Sequence, residues 1–390
     1  MNQEKGASGA AMIRKKRDWR FELMRMLAML GIVIAHYFAS DNWAAHANEA
    51  TWPSAMHQSM DIFGQIGVTW FALISAFFLA HRSSRVFLRA MKVWVETFIY
   101  SAGGFLVVSI IVMMGVAYNG PDLSAIRTIT SSFLPLISDL YWFVGAYIIM
   151  IILSPFLNIL VDHTDFRGLL KLITILLFIV FIWKLLNPSI GYFTDYGYLC
   201  TVYLIGAGIR KYSMRLPHVS FVACLSVFVA CWFLCVMGTY AIRSSYTLTQ
   251  VFGFPPNLLG AGGGASPILS VIPGVCSFLW VVQKRTSDTH DNSLAVKMVR
   301  ALAPATFGIY LLHTNPLLKP VLFGFIFSVP EPAGLMRKAL LAILSIMFIY
   351  VTSLLISSII HYAVICPSTK MLDCLNQRLE VVRRKRISAN

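Results

Sequence analysis

Apolar residues in this chain fall into ten runs of roughly 20, each bounded by charged or Gly/Pro-rich stretches. That is the length a helix needs, at about 1.5 Å per residue, to cross a hydrocarbon core of about 30 Å. The runs predict membrane helices near 21–39, 62–80, 93–117, 140–160, 169–187, 196–210, 218–240, 267–283, 301–322 and 338–362. The expected fold is an all-α polytopic membrane protein with about ten transmembrane helices. A basic cytoplasmic arm (1–20) would precede the transmembrane domain (21–362), and a basic cytoplasmic tail (363–390) would follow it. Trp43, Trp52 and Pro53 predict an interfacial, partly structured segment after the first span. In the ninth run, TFGIYLLHTNP, Pro316 predicts an end or a kink in the helix.

Two polar residues interrupt the first run, Arg25 and His36. They lie eleven positions apart, about 16 Å along a helix axis and roughly 20° around it, so they share one face. An ionisable residue inside a span points to function. The alternatives are an Arg25 that snorkels to the headgroups and a His36 that merely sits at an interface. Glu22 precedes Arg25 by one turn and can pair with it, which lowers the cost of burying the cation without implying catalysis.

Composition sharpens the picture. Of 390 residues 57% are apolar and 13% charged, and the mean hydropathy is +0.71. Two soluble domains are excluded. A net charge of +15 could suggest a nucleic-acid partner, but the basic residues flank the apolar runs. With ten spans, 25 of the 32 Lys and Arg fall on the side of the two termini and six on the other. The positive-inside rule therefore puts both termini in the cytoplasm, Arg25 near the inner face and His36 near the outer one. The seven cysteines lie mostly in spans without metal-ligand spacing, so no metal is expected. The polar, basic start is unlike a cleavable signal peptide.

Further candidates follow from chemistry. Arg82 and Arg85, three apart in a short inner loop, could grip phosphate oxygens in a bidentate manner, or could simply mark topology. Tyr310 and His313 share a face near the outer end of the ninth span. Glu96 and Asp61 are acidic residues whose part in a site stays open. No Walker-type loop, HExxH or G-x-S-x-G occurs. What remains possible is direct transfer, in which a histidine deprotonates an acceptor hydroxyl that attacks an activated acyl group.

With these residues in view, the chain resembles the acyltransferase-3 family of integral membrane O-acyltransferases over essentially its whole length. Arg25-x10-His36 matches the family's R-x10-H, and Arg82-x-x-Arg85 its R-x-x-R. IGVTWFALISAFFL follows the second-span pattern, with Ala76 in place of the usual Gly. YWFVGAYIIMIILSPFLN is similar to the W-F…Y…P span. FGIYLLHTNP is similar to the late S-x-G-I-Y-L-x-H-x-P, with Thr306 for Ser. The resemblance implies acyl transfer, usually of acetyl from acetyl-CoA, to a hydroxyl of a surface or exported polysaccharide or its lipid-linked precursor. It implies that His36 is the base, that Arg25 positions the donor, and that Arg82 and Arg85 face CoA phosphates. Acetyl-CoA or another acyl-CoA would be a substrate, with no bound cofactor. The chain is expected to be the stand-alone form, without a C-terminal esterase-like domain, in the cell membrane.

The competing reading is a transporter or flippase for a lipid-linked sugar. Ten spans and intramembrane charges suit it, but the chain shows neither paired inverted halves nor matched broken helices.

Overall fold

The computed structural model describes residues 17–40, 49–80, 85–188, 193–255, 257–259, 266–284, 293–329 and 334–387. Among them the protein is helical throughout, with no strand. In chain order the helices are α1 (Trp19–Phe38), α2 (Trp52–Gln58), α3 (Asp61–Leu79), α4 (Val86–Met113), α5 (Ile126–Phe133) and α6 (Trp142–His163). The next are α7 (Phe166–Leu177), α8 (Trp183–Leu186), α9 (Asp195–Tyr212), α10 (Phe221–Ser244) and α11 (Ile268–Gln283). The chain closes with α12 (Leu294–Leu302), α13 (Thr306–His313), α14 (Leu318–Phe327), α15 (Leu335–Ile360) and α16 (Cys366–Ile387).

Every predicted span contains a helix. Eight are long and apolar enough to cross a membrane among the described residues. The two that differ are instructive. Helix α11 has only 16 residues. Helix α9 carries Asp195, Arg210 and Lys211, yet almost every side chain from Tyr198 to Ile209 is buried by protein. A helix surrounded by other helices needs no lipid-facing apolar coat, so its modest hydropathy reflects its central place.

Helices begin where capping chemistry allows. Asp18 accepts the Arg20 amide at 3.1 Å to start α1. Thr194 and Ser293 cap α9 and α12 in the same manner. The ninth run breaks as Pro316 predicts: α13 stops at His313, and α14 resumes at Leu318.

The bundle is centred on α1, α3 and α9. Small residues let α1 and α3 meet backbone to backbone, which is how helices gain contact where lipid offers no hydrophobic drive. A methyl added to Gly31 would sit 2.6 Å from the Phe63 carbonyl oxygen, and one on Gly67 would collide with that of Ala28. Ala76, the departure from the family pattern, is accommodated by its neighbour. Gly206 of α9 faces it so closely that an added Cβ would lie 2.7 Å from the Ala76 methyl. The three cysteines of α10, Cys224, Cys231 and Cys235, are buried packing residues.

The tail is not a featureless basic segment. A π-turn, His361–Ile365, carries α15 into α16. Helix α16 runs back along the start of α4. Lys92 Nζ meets Asp373 at 2.7 Å and Arg85 Nε meets Glu380 at 3.7 Å. The partners are seven residues apart in each segment and in opposite order, as antiparallel packing over two helical turns requires.

Candidate active site

The break after α13 leaves His313 at a helix end, 5% exposed, facing the end of α1. There Nδ1 of His36 lies 2.8 Å from Nε2 of His313. Nδ1 of His313 lies 2.6 Å from the Ile309 carbonyl oxygen one turn back. A carbonyl oxygen only accepts, so this Nδ1 carries the proton. Neutral His313 then presents a lone pair at Nε2, and His36 must donate Nδ1–H to it. Nε2 of His36 is left with its lone pair uncommitted among the described residues. The pair therefore fixes which nitrogen of His36 can accept a proton.

Aromatic residues wall this site. The Tyr310 ring stands 6.4 Å from His36 and 5.9 Å from Tyr141. Asn315 Nδ2 donates to the Tyr141 hydroxyl at 2.9 Å, and its Oδ1 accepts the amides of Leu317 and Leu318 at 2.9 and 3.2 Å. The asparagine thus satisfies backbone donors that the break at Pro316 exposes. On the other flank, Lys319 Nζ donates to Ser40 Oγ at 2.6 Å, tying the end of α1 to α14.

The opposite end of α1 is an arginine cluster. Arg25 Nη1 pairs with Glu22 Oε1 at 2.8 Å, the one-turn pairing expected from spacing. Glu22 is buried at 3% exposure, and its second oxygen lies 3.9 Å from Arg17 Nη1. Arg20 Nη1 donates to the Val281 carbonyl at 3.2 Å and also contacts that of Lys284, fastening α1 to the end of α11. The Arg210 guanidinium sits 4.6 Å above the Phe77 ring.

His36, His313 and Tyr310 are thus assembled in one place, and Glu22 with Arg25 in another. Between them, Met29 and Ile32 continue the same stripe of α1 at 1% and 4% exposure. The line from Arg25 to His36 is therefore packed with side chains. Arg85 stands apart, in left-handed geometry (φ 59°) before α4 and paired with Glu380. Arg82 lies outside the described residues. Glu96 lies on α4 with Oε1 shielded and unbonded among the described residues, and Asp61 opens α3. Tyr141, Asn315 and Lys319 escaped sequence reading. Asn315, between His313 and Pro316, was the one with a visible signal.

The first span of this helical bundle carries a histidine pair at one end and an arginine cluster at the other, and its sequence matches a known profile. The profile of the acyltransferase-3 family, described as an acyltransferase domain, matches residues 18–362. The chain belongs to that family. No curated relative and no solved structure matches it. Membership makes the protein a membrane acyltransferase, with an acyl donor and an acceptor as its substrates. The matched region runs from the cap of α1 through α15, so it takes in both the histidine pair and the arginine cluster of this acyltransferase-3 chain.

Proposed function

We propose that the protein is an O-acetyltransferase. It would move an acetyl group from cytoplasmic acetyl-CoA to a hydroxyl of a cell-surface or exported polysaccharide, or of its lipid-linked precursor. The observation that carries this reading is the Ile309–His313–His36 relay, which leaves one imidazole nitrogen free to take a proton. Nε2 of His36 accepts the hydroxyl proton as the oxygen attacks the thioester carbonyl. The C–O bond forms, the C–S bond breaks, and the CoA thiolate takes the proton back from the imidazolium. The products are an acetyl ester and free CoA thiol.

Arg25 would position the donor from its end of α1, and Arg82 and Arg85 would hold CoA phosphates, as guanidinium pairs do. Both termini are then cytoplasmic, with the histidines toward the outer face of the cell membrane. The donor's acyl arm has to pass Met29, whose unbranched side chain yields more readily than any branched one.

The test compares base-labile ester on surface glycans in wild-type cells, a deletion strain, and His36→Ala restored at equal membrane abundance. Ester lost in both mutants with glycan still exported is the expected result. Ester retained, with surface glycan missing from the deletion, would favour a flippase instead.

A further inference from the structure

The connection between α4 and α6 folds over the break that carries His313. It borders a half-open cavity of about 340 Å³, lined by Arg127, Thr128 and Ser131 of α5, by Ser138 and Asp139 before α6, and by Asn315. That volume lies at the lower end of the range for small-molecule sites, about 300–1,000 Å³, enough for a sugar ring and too small for a long oligosaccharide.

Two features join this cavity to the histidines. Asn315 lies two residues past His313. It also bonds Tyr141, whose ring packs on Tyr310 beside His36. The asparagine is 1% exposed and makes three side-chain hydrogen bonds, so this side of the cavity is held in place.

The polar groups suit a polyol. Ser131 and Ser138 each donate their own proton to a backbone carbonyl at 3.1 Å, which leaves their oxygens as acceptors. Arg127 and Asp139 form no ion pair among the described residues. Each keeps its hydrogen-bonding capacity for a ligand. Asp139 adopts φ 50°, in the left-handed region that Asp enters more readily than most residues with a side chain. A carboxylate accepts from two neighbouring hydroxyls at once, and a guanidinium donates to ring and glycosidic oxygens. The lining carries one cation and one anion, and Asp195 lies close enough to feel the charge of Asp139. An anionic sugar would gain nothing from this balance.

We infer that this cavity is the acceptor subsite and that it takes an uncharged glycosyl unit, with Asp139 and Arg127 as its specificity-determining residues. The inference rests on the acyltransferase reading, which supplies the reason for an acceptor at the end of the bundle that holds the histidines.

The experiment uses the full chain in intact cells and needs no turnover. Ser131→Cys would be labelled with a membrane-impermeant maleimide, and Ser124→Cys, outside the cavity, would serve as the control. The probes are galactose, rhamnose and N-acetylglucosamine as neutral sugars, and glucuronate as the anion. A neutral sugar should slow labelling at position 131 and leave position 124 alone. Adding Asp139→Asn should raise the sugar concentration for half-protection about tenfold, the loss expected for one charge-assisted hydrogen bond. Equal protection by glucuronate, protection that survives Asp139→Asn, or no protection by any neutral sugar would each overturn the proposal. Because protection is read without catalysis, it stands or falls separately from the ester assay on His36→Ala.

Discussion

His36 and His313 are 277 positions apart in the chain and 2.8 Å apart in the fold. His313 offers His36 a neutral acceptor where many catalytic histidines have a carboxylate, so in the proposed reaction it orients the base more than it stabilises the charge that develops. Replacing it with Ala is predicted to lower kcat about 10–100-fold, the scale of lost orienting partners, with little change in donor KM. His313→Gln keeps an acceptor for Nδ1–H and should recover part of the rate. Initial rates of acetyl transfer in purified membranes check both. Equal rates in the Ala and Gln variants would argue against a hydrogen-bonding role.

The Glu22–Arg25 pair should behave as a unit. Arg25→Ala removes the hydrogen-bonded partner of a buried carboxylate and leaves it only Arg17 at 3.9 Å, at a cost of up to about 3–5 kcal/mol. The 27% exposure of the Arg25 side chain reduces that figure. Low membrane abundance is the expected result. The double variant Glu22→Gln/Arg25→Gln should recover abundance yet stay inactive. Immunoblotting of membranes, read beside the ester assay, separates the structural loss from the functional one.

Arg85 is predicted to be shared between Glu380 and the donor. Their ion pair is largely solvent-exposed, worth about 0–1 kcal/mol, so donor phosphates can displace it. Glu380→Gln should lower the KM for acetyl-CoA by up to about fivefold at low salt, with kcat unchanged. Arg85→Ala should raise it. A Glu380→Gln variant with unaltered donor KM across salt concentrations would show that α16 plays no part in donor binding.

The contact of Ala76 with Gly206 makes a packing prediction. Gly206→Ala forces two methyls together and should cost about 1–3 kcal/mol. Ala76→Gly in the same chain removes one of them and should restore part of that loss. Recovery should be incomplete, because the Leu73 carbonyl oxygen would also lie 3.0 Å from the new methyl. Thermal unfolding of the three variants in detergent gives the comparison.

The apolar runs made the helices legible, and the eleven-residue spacing made the shared face of Arg25 and His36 legible too. Pro316 marked the break correctly. The joining of His36 to His313 was hidden, because it depends on α13 packing against α1, and no local pattern encodes such a distant neighbour. Helix α9 read as an ordinary span, although its Asp195, Arg210 and Lys211 already hinted at a helix wrapped in protein. Helix α16 read as a basic cytoplasmic tail because its charges dominate its composition. Asp373 and Glu380 become informative only once α4 lies alongside.

The seating of α1 on α3 has a bearing on how the machine runs. With Gly31 against the Phe63 carbonyl and Gly67 against that of Ala28, α1 has little freedom to roll or slide: rotation would drive larger side chains into a neighbouring backbone. Lys319 and Arg20 pin its two ends to other helices. The reactive nitrogen is in effect bolted to the frame. The moving parts of a reaction cycle are then the two substrates and the side chains that let them by.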